Sequence, residues 1–202
     1  MTRLGILLSG RGSNFVAIAD AIRDHRLQGV EIAVVLSNMT DAPGLKIASE
    51  MGLDAITVPS AGRKRVEHDA AMIARLKEHR VDLVCLAGYM RILTANFVRA
   101  FPDRILNVHP SLLPAFPGLN AQGQALEFGS KVAGCTVHFV DEAVDHGAVV
   151  VQRTVPVLDD DTAETLSARV LEQEHIAFPE AIARVVGGEF ELRGRRYVRI
   201  AT

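Results

Sequence analysis

The stretch Asn107-Val108-His109-Pro110-Ser111-Leu112-Leu113-Pro114 sets an amide and an imidazole two residues apart at the end of an apolar run. In extended chain that spacing projects Asn107 and His109 from one face and Val108 from the other. Pro110 offers no N–H to a sheet ladder and Pro114 follows soon after, so the strand stops there. Asp145, in Val144-Asp145-His146-Gly147, falls in a turn between two apolar strands, where a carboxylate can be held out of bulk water. Alone, each feature has an ordinary reading: a strand terminus with a bonded histidine, and an Asx turn. Together they are equipment for stabilising an oxyanion. A carboxylate facing an imidazole favours its charged form, and a charged ring beside an amide holds a developing negative oxygen. No activated nucleophile accompanies them, because Ser111 lacks the surroundings of a GxSxG elbow. The chemistry indicated is acyl transfer in which a substrate supplies the attacking group. His138, His146 and His175 carry less weight, and no HxxxH or HExxH spacing makes them metal ligands, so no metal is expected.

A second polar feature precedes the first helix. Gly10-Arg11-Gly12-Ser13-Asn14 follows a buried-looking strand and opens a helix, which aims free N–H groups and a helix dipole at one point. An anion fits there, with Ser13, Asn14 and Arg11 as added donors; the alternative is a tight turn with no ligand. Phe15 replaces the third glycine of GxGxxG, the second strand ends in Ser37-Asn38 and not in an acid, and the Walker lysine is missing. A monophosphate is the better reading than a dinucleotide or ATP.

These residues need a scaffold, and the elements supply one. The 202 residues, 49% of them hydrophobic, are enough for one sizeable α/β domain. Apolar runs at Leu4–Leu8, Ile32–Leu36, Ala55–Val58, Leu83–Ala87 and Ile105–Val108 read as strands. Between them lie helical patterns: one from Phe15 through Ile18 and Ile22, capped by Ser13 or Asn14, and one from Asp41 and Pro43 to Gly52. A third is striped by Val66, Ala70, Ile73 and Leu76, and a fourth runs from Thr94 to Ala100. Such alternation predicts an α/β fold with a doubly wound, mostly parallel sheet, Rossmann-like in its N-terminal half, with helices on both faces. An antiparallel extension follows: a helix over Ala121–Phe128, long strands at Val132–Val140 and Ala148–Val157, and a long helix carrying Leu166, Val170 and Ile176. Asp161 and Glu164 form its expected capping box, and a hairpin around Gly194 closes the chain, its arginines forming a solvated edge.

Bulk composition narrows the partners. A net charge of -2 gives no basic field for nucleic acid or an anionic membrane. No apolar run approaches the ~20 residues of a membrane span, and no secretory leader is evident, so a soluble, cytoplasmic protein acting on small molecules as a monomer or homodimer is expected. Cys85 and Cys135 sit apart in apolar runs and read as buried free thiols.

Four blocks occur in order: SGRGSN at 9–14, MRIL at Met90–Leu93, NVHPSLLPAFPGL at Asn107–Leu119 and GCTVHFVDEAVDHG at Gly134–Gly147. With them the chain resembles, over nearly its whole length, the phosphoribosylglycinamide formyltransferases, folate-dependent enzymes of purine synthesis. The HPSLLP and VHFV blocks are shared with other formyl-transfer enzymes; the GSN loop and the short length distinguish this group. The resemblance implies that the chain is one formyltransferase domain over 1–202, with a phosphate-binding half at 1–100 and a catalytic, folate-binding half at 101–202. It implies that Gly12, Ser13 and Asn14 hold the phosphate of glycinamide ribonucleotide and that Glu174 reaches its ribose hydroxyls. Arg65, Met90, Arg91, Ile92 and Leu93, with Asn107, Val140, Asp141 and Asp145, would contact 10-formyltetrahydrofolate, the co-substrate. By themselves Arg65 reads as a solvated helix residue, Met90–Leu93 as a packed connector and Glu174 as a surface acid. The pattern departs from the family's at Asn120, where a histidine is usual, at Gly123, and at Ala148, where a proline is usual.

Overall fold

The computed structural model describes residues 1–200. The chain's contacts divide it into two units, Met1–Asn107 and the part from Val108 onward. In the first unit, strands β1 (Thr2–Leu8), β2 (Val30–Ser37), β3 (Ala55–Thr57), β4 (Leu83–Leu86) and β5 (Ile105–His109) alternate with helices α1 (Ser13–Arg23), α2 (Pro43–Glu50), α3 (Arg65–Glu78) and α4 (Ala95–Ala100). The strands are parallel and lie in the order β3-β2-β1-β4-β5. Connections therefore run outward from β1 in one direction and from β4 in the other. Right-handed crossovers then place α1 and α2 on one face and α3 and α4 on the opposite one. The order reverses between β1 and β4, the point where such sheets open a crevice at their carboxyl ends. The apolar runs that predicted the strands supply the core, with Leu4, Ile6, Leu7, Leu8, Val84 and Leu106 fully buried.

Local details depart from the expected ones for physical reasons. Neither Ser13 nor Asn14 caps α1; Gly12 does, in a left-handed conformation (φ 76°) with no side-chain cap. The α3 stripe is rotated. Of the expected stripe Leu76 is buried and Ile73 half-buried, but Val66 and Ala70 are exposed, and His68, Asp69 and Met72 take the buried face. Those two polar residues are buried because each has a partner: His68 Nε2 meets the Val58 carbonyl at 2.8 Å, and Asp69 accepts from Thr94 N–H at 2.7 Å.

In the second unit, α5 (Ala121–Phe128) ends at Gly129, whose φ of 77° suits glycine. β6 (Val132–Phe139) and β7 (Val149–Pro156) pair antiparallel around the Asp141–Gly147 turn, with an irregularity between Val137 and His138. The long helix α6 (Ala163–Val186) starts on a capping box made by Thr162 and Thr165, which displaces the expected Asp161–Glu164 pair. Its buried face carries Leu166, Val170, Ala177, Phe178, Ala181 and Ile182, whereas Ile176 points to solvent. β8 (Phe190–Arg193) and β9 (Arg196–Arg199) form the closing hairpin across Gly194 (φ 62°). Among the described residues no helix is long and apolar enough to cross a membrane.

Candidate active site

β5 delivers Asn107 and His109 on the same strand, as the spacing requires, with His109 buried and Asn107 half-buried. Asp145 comes to His109 from the turn after β6: its Oδ2 lies 3.3 Å from His109 Nδ1, and its side chain is only 10% exposed. The expected pair is present. The other imidazole nitrogen, Nε2, donates to the Phe116 carbonyl at 2.9 Å. The ring therefore has an acceptor facing each of its nitrogens. Asp145 Oδ2 also accepts from Gly118 N–H at 2.8 Å, so residues 116–118 touch both members of the pair. Asp145 itself is left-handed (φ 50°), a conformation a non-glycine residue keeps only when its surroundings hold it.

The segment after His109 is fixed by a buried hydroxyl. Thr136 Oγ1 donates to the Ser111 carbonyl (2.7 Å) and accepts from Leu113 N–H (3.0 Å) and Gln152 Nε2 (3.0 Å). Ser111 Oγ donates to the Ala115 carbonyl at 2.6 Å, so this buried hydroxyl is committed to the backbone and is no nucleophile. Burial raises the Cys85 thiol far above its usual range, and burial followed by the charge of Glu174 pushes Cys135 up to about 12, which removes both as thiolates.

In the first unit, the glycine loop lies at the carboxyl end of β1. Gly12 takes its left-handed conformation where a Cβ would stand 3.0 Å from Gly44 Cα, and Gly44 N–H donates to the Gly10 carbonyl at 3.1 Å. Because no side chain caps α1, its leading N–H groups are not consumed by a cap. Beside it, at the carboxyl end of β4, Met90 N–H donates to Ser9 Oγ (2.9 Å) and Ser9 N–H to the Gly88 carbonyl (3.0 Å). Met90 and Ile92 are 76% and 56% exposed, which contradicts a packed connector. The Asp69–Thr94 bond pins the far end of that segment to α3, the helix that Arg65, an exposed residue, begins.

Residues 2–182 match the formyl transferase family. The chain belongs to that family. It is 40% identical over 188 residues to the phosphoribosylglycinamide formyltransferase of Escherichia coli, covering 93% of this chain and 88% of that protein. It is 48% identical over 189 residues, 92% of the chain, to the trifunctional purine biosynthetic protein adenosine-3 of Drosophila melanogaster, of whose length it spans only 14%. A crystal structure of glycinamide ribonucleotide transformylase 1 from Symbiobacterium toebii superposes with a TM-score of 0.96 at 50% identity, over 100% of this chain and 95% of that one.

In this chain Glu174 is buried on α6 (8% exposed) and is not the surface acid its bare sequence context suggests. Val140 and Asp141 begin the turn that carries Asp145, and Asp141 Oδ1 accepts from Ala143 N–H at 2.9 Å. His138, given little weight from the sequence, is buried on β6 with Nε2 3.8 Å from Asp145 Oδ1. Burial lowers its pKa, against the opposing pull of the Phe139 carbonyl and Asp145. The contacts of Phe116, Gly118, Thr136, Ser9 and Asp69 have no signature in the sequence, because each pairs a side chain with the backbone of a distant segment. Among the described residues no group of His, Cys, Asp or Glu is arranged to hold a metal ion.

Proposed function

We propose that this chain is a phosphoribosylglycinamide formyltransferase: it transfers the formyl group of 10-formyltetrahydrofolate to the amine of glycinamide ribonucleotide, giving formylglycinamide ribonucleotide and tetrahydrofolate in purine biosynthesis. The observation that carries the reading is the His109 imidazole held between the Asp145 carboxylate and the Phe116 carbonyl, with Asn107 two residues before it on the same strand. His109 turns its Nε2–H from Phe116 to the formyl oxygen, and the Asn107 amide donates to the same oxygen. The substrate amine attacks the formyl carbon, giving a tetrahedral species whose negative oxygen these donors stabilise. Asp145 supports the imidazolium and, through a water, takes up the proton lost by the amine. The folate N10 leaves with a proton. No enzyme acyl intermediate forms, in keeping with the committed Ser111 hydroxyl and the raised thiols.

Gly12, Ser13 and Asn14 hold the ribonucleotide phosphate at the start of α1, and Glu174 takes its ribose hydroxyls. Arg65, Met90, Arg91, Ile92 and Leu93 bind the folate with Asn107, Val140, Asp141 and Asp145; the exposed Met90 and Ile92 offer apolar surface for a pterin and its linker. The reading assigns phosphate binding to the 1–100 half and catalysis with folate binding to the 101–202 half of one formyltransferase domain. It places the protein in the cytoplasm as a monomer or homodimer, without nucleic acid. The test is incubation of the purified protein with formyl-labelled 10-formyltetrahydrofolate, with and without glycinamide ribonucleotide. The label should pass to the ribonucleotide only when it is present. Release of formate at the same rate without the acceptor would make the protein a folate hydrolase and refute the assignment.

A further inference from the structure

The Asp141–Gly147 turn carries Asp145 but is held from outside by a part of the chain beyond the family match, which ends at residue 182. The β8–β9 hairpin clasps this turn at three points. Before the turn, the Phe139 ring meets Tyr197 edge-on, with centroids 5.3 Å apart. After it, Val149 pairs with Arg196. Within it, the Arg195 guanidinium donates to His146 Nε2 and, at 2.5 Å, to the His146 carbonyl. The opposite nitrogen of His146 meets Asp141 Oδ2 at 2.7 Å, so the ring bridges the hairpin to the first residue of the turn. The hairpin is itself anchored: Tyr197 OH donates to the Arg184 carbonyl at the end of α6 (3.1 Å), Tyr197 stacks on Phe190, and the Arg184 guanidinium lies 5.5 Å from the Phe190 ring centroid.

The residue bonded to this clasp is the immediate neighbour of Asp145, whose left-handed backbone depends on its surroundings. Rotation of that backbone would swing the carboxylate off His109. We propose that Arg195 is a positioning residue: by gripping His146 at the tip of the hairpin it holds Asp145 in its left-handed conformation against His109. The inference rests on the reading of Asp145 as the support of His109 in formyl transfer. Arg195 touches no reacting atom and acts only through the turn.

A double-mutant cycle separates this role from a merely structural one. Arg195→Met keeps the aliphatic stem and removes the donors. In the wild-type background kcat for formyl transfer should fall about tenfold, and in an Asp145→Asn background by less than about twofold, since residues acting through one network are not additive. Arg195→Lys, which restores one donor, should recover part of the loss. An equal factor in both backgrounds, no loss in the wild-type background, or no recovery with lysine overturns the inference. If Asp145→Asn alone leaves kcat unchanged, the reading of Asp145 has failed instead, and that outcome is visible in the same cycle.

Discussion

Replacing Asp145 by asparagine isolates the charge of the carboxylate. The asparagine has nearly the same volume and keeps an oxygen for Gly118 N–H, now bonded at 2.8 Å, so the turn has its hydrogen bond either way. What disappears is a unit negative charge 3.3 Å from His109 Nδ1, on a side chain 10% exposed. At that separation and an effective dielectric of about 20, the attraction to an imidazolium is about 5 kcal/mol, an upper bound because residual water screens it and the new amide dipole returns part. Realising half to four-fifths of it in the transition state corresponds to a loss of about 10²- to 10³-fold in turnover. The assay is the initial rate of formylated ribonucleotide with both substrates saturating, on protein whose circular dichroism matches wild type. KM for the ribonucleotide should move by less than about threefold, since the lost interaction strengthens in the transition state. A kcat within about fivefold of wild type would refute the argument, because even one displaced oxyanion donor is worth more than that.

Two further outcomes follow from other parts of the molecule. Gly12→Ala forces a side chain into a left-handed residue and toward Gly44 Cα; it should destabilise the fold by about 1–2 kcal/mol in urea unfolding and raise KM for the ribonucleotide while kcat changes little, and an unchanged KM would remove the loop from phosphate binding. Asp161 is held far below the usual carboxylate range, chiefly by the bidentate Arg169 guanidinium (2.8 and 2.8 Å), then by Leu158 N–H. Its folded pKa is depressed, so its stabilisation is complete above the ordinary aspartate range of about 4 and declines as pH falls below it. Melting temperature should therefore drop more steeply with acid in wild type than in Asp161→Asn, and parallel curves would contradict the linkage.

The strand pattern was legible because parallel strands are buried on both faces and read as apolar runs, and Pro43 and Gly129 mark helix ends through backbone chemistry that sequence displays, whereas α1 starts on a left-handed Gly12 and not on the expected Ser13 or Asn14. The His109–Asp145 pair was legible for a related reason: His109 is a polar residue at the abrupt end of an apolar strand, and Asp145 lies in the turn that joins two others. The face of α3 was not, because His68 and Asp69 are buried by bonds to Val58 and Thr94 that no periodicity encodes. For the same reason His138 looked like an ordinary strand residue until the turn brought Asp145 to it. The cap of α6 was misplaced by one residue, since Asp161 is engaged with Arg169, leaving Thr162 to cap. Loop 116–118 around the pair belongs with these, as its contribution is made by backbone atoms that every residue carries.

In the proposed mechanism His109 polarises the formyl oxygen, and its removal tests this most directly. For His109→Ala, with the fold verified by circular dichroism, formylglycinamide ribonucleotide production under saturating substrates should fall by about 10²- to 10³-fold, the magnitude attached to one oxyanion donor. Near-native turnover from that variant would contradict the mechanism.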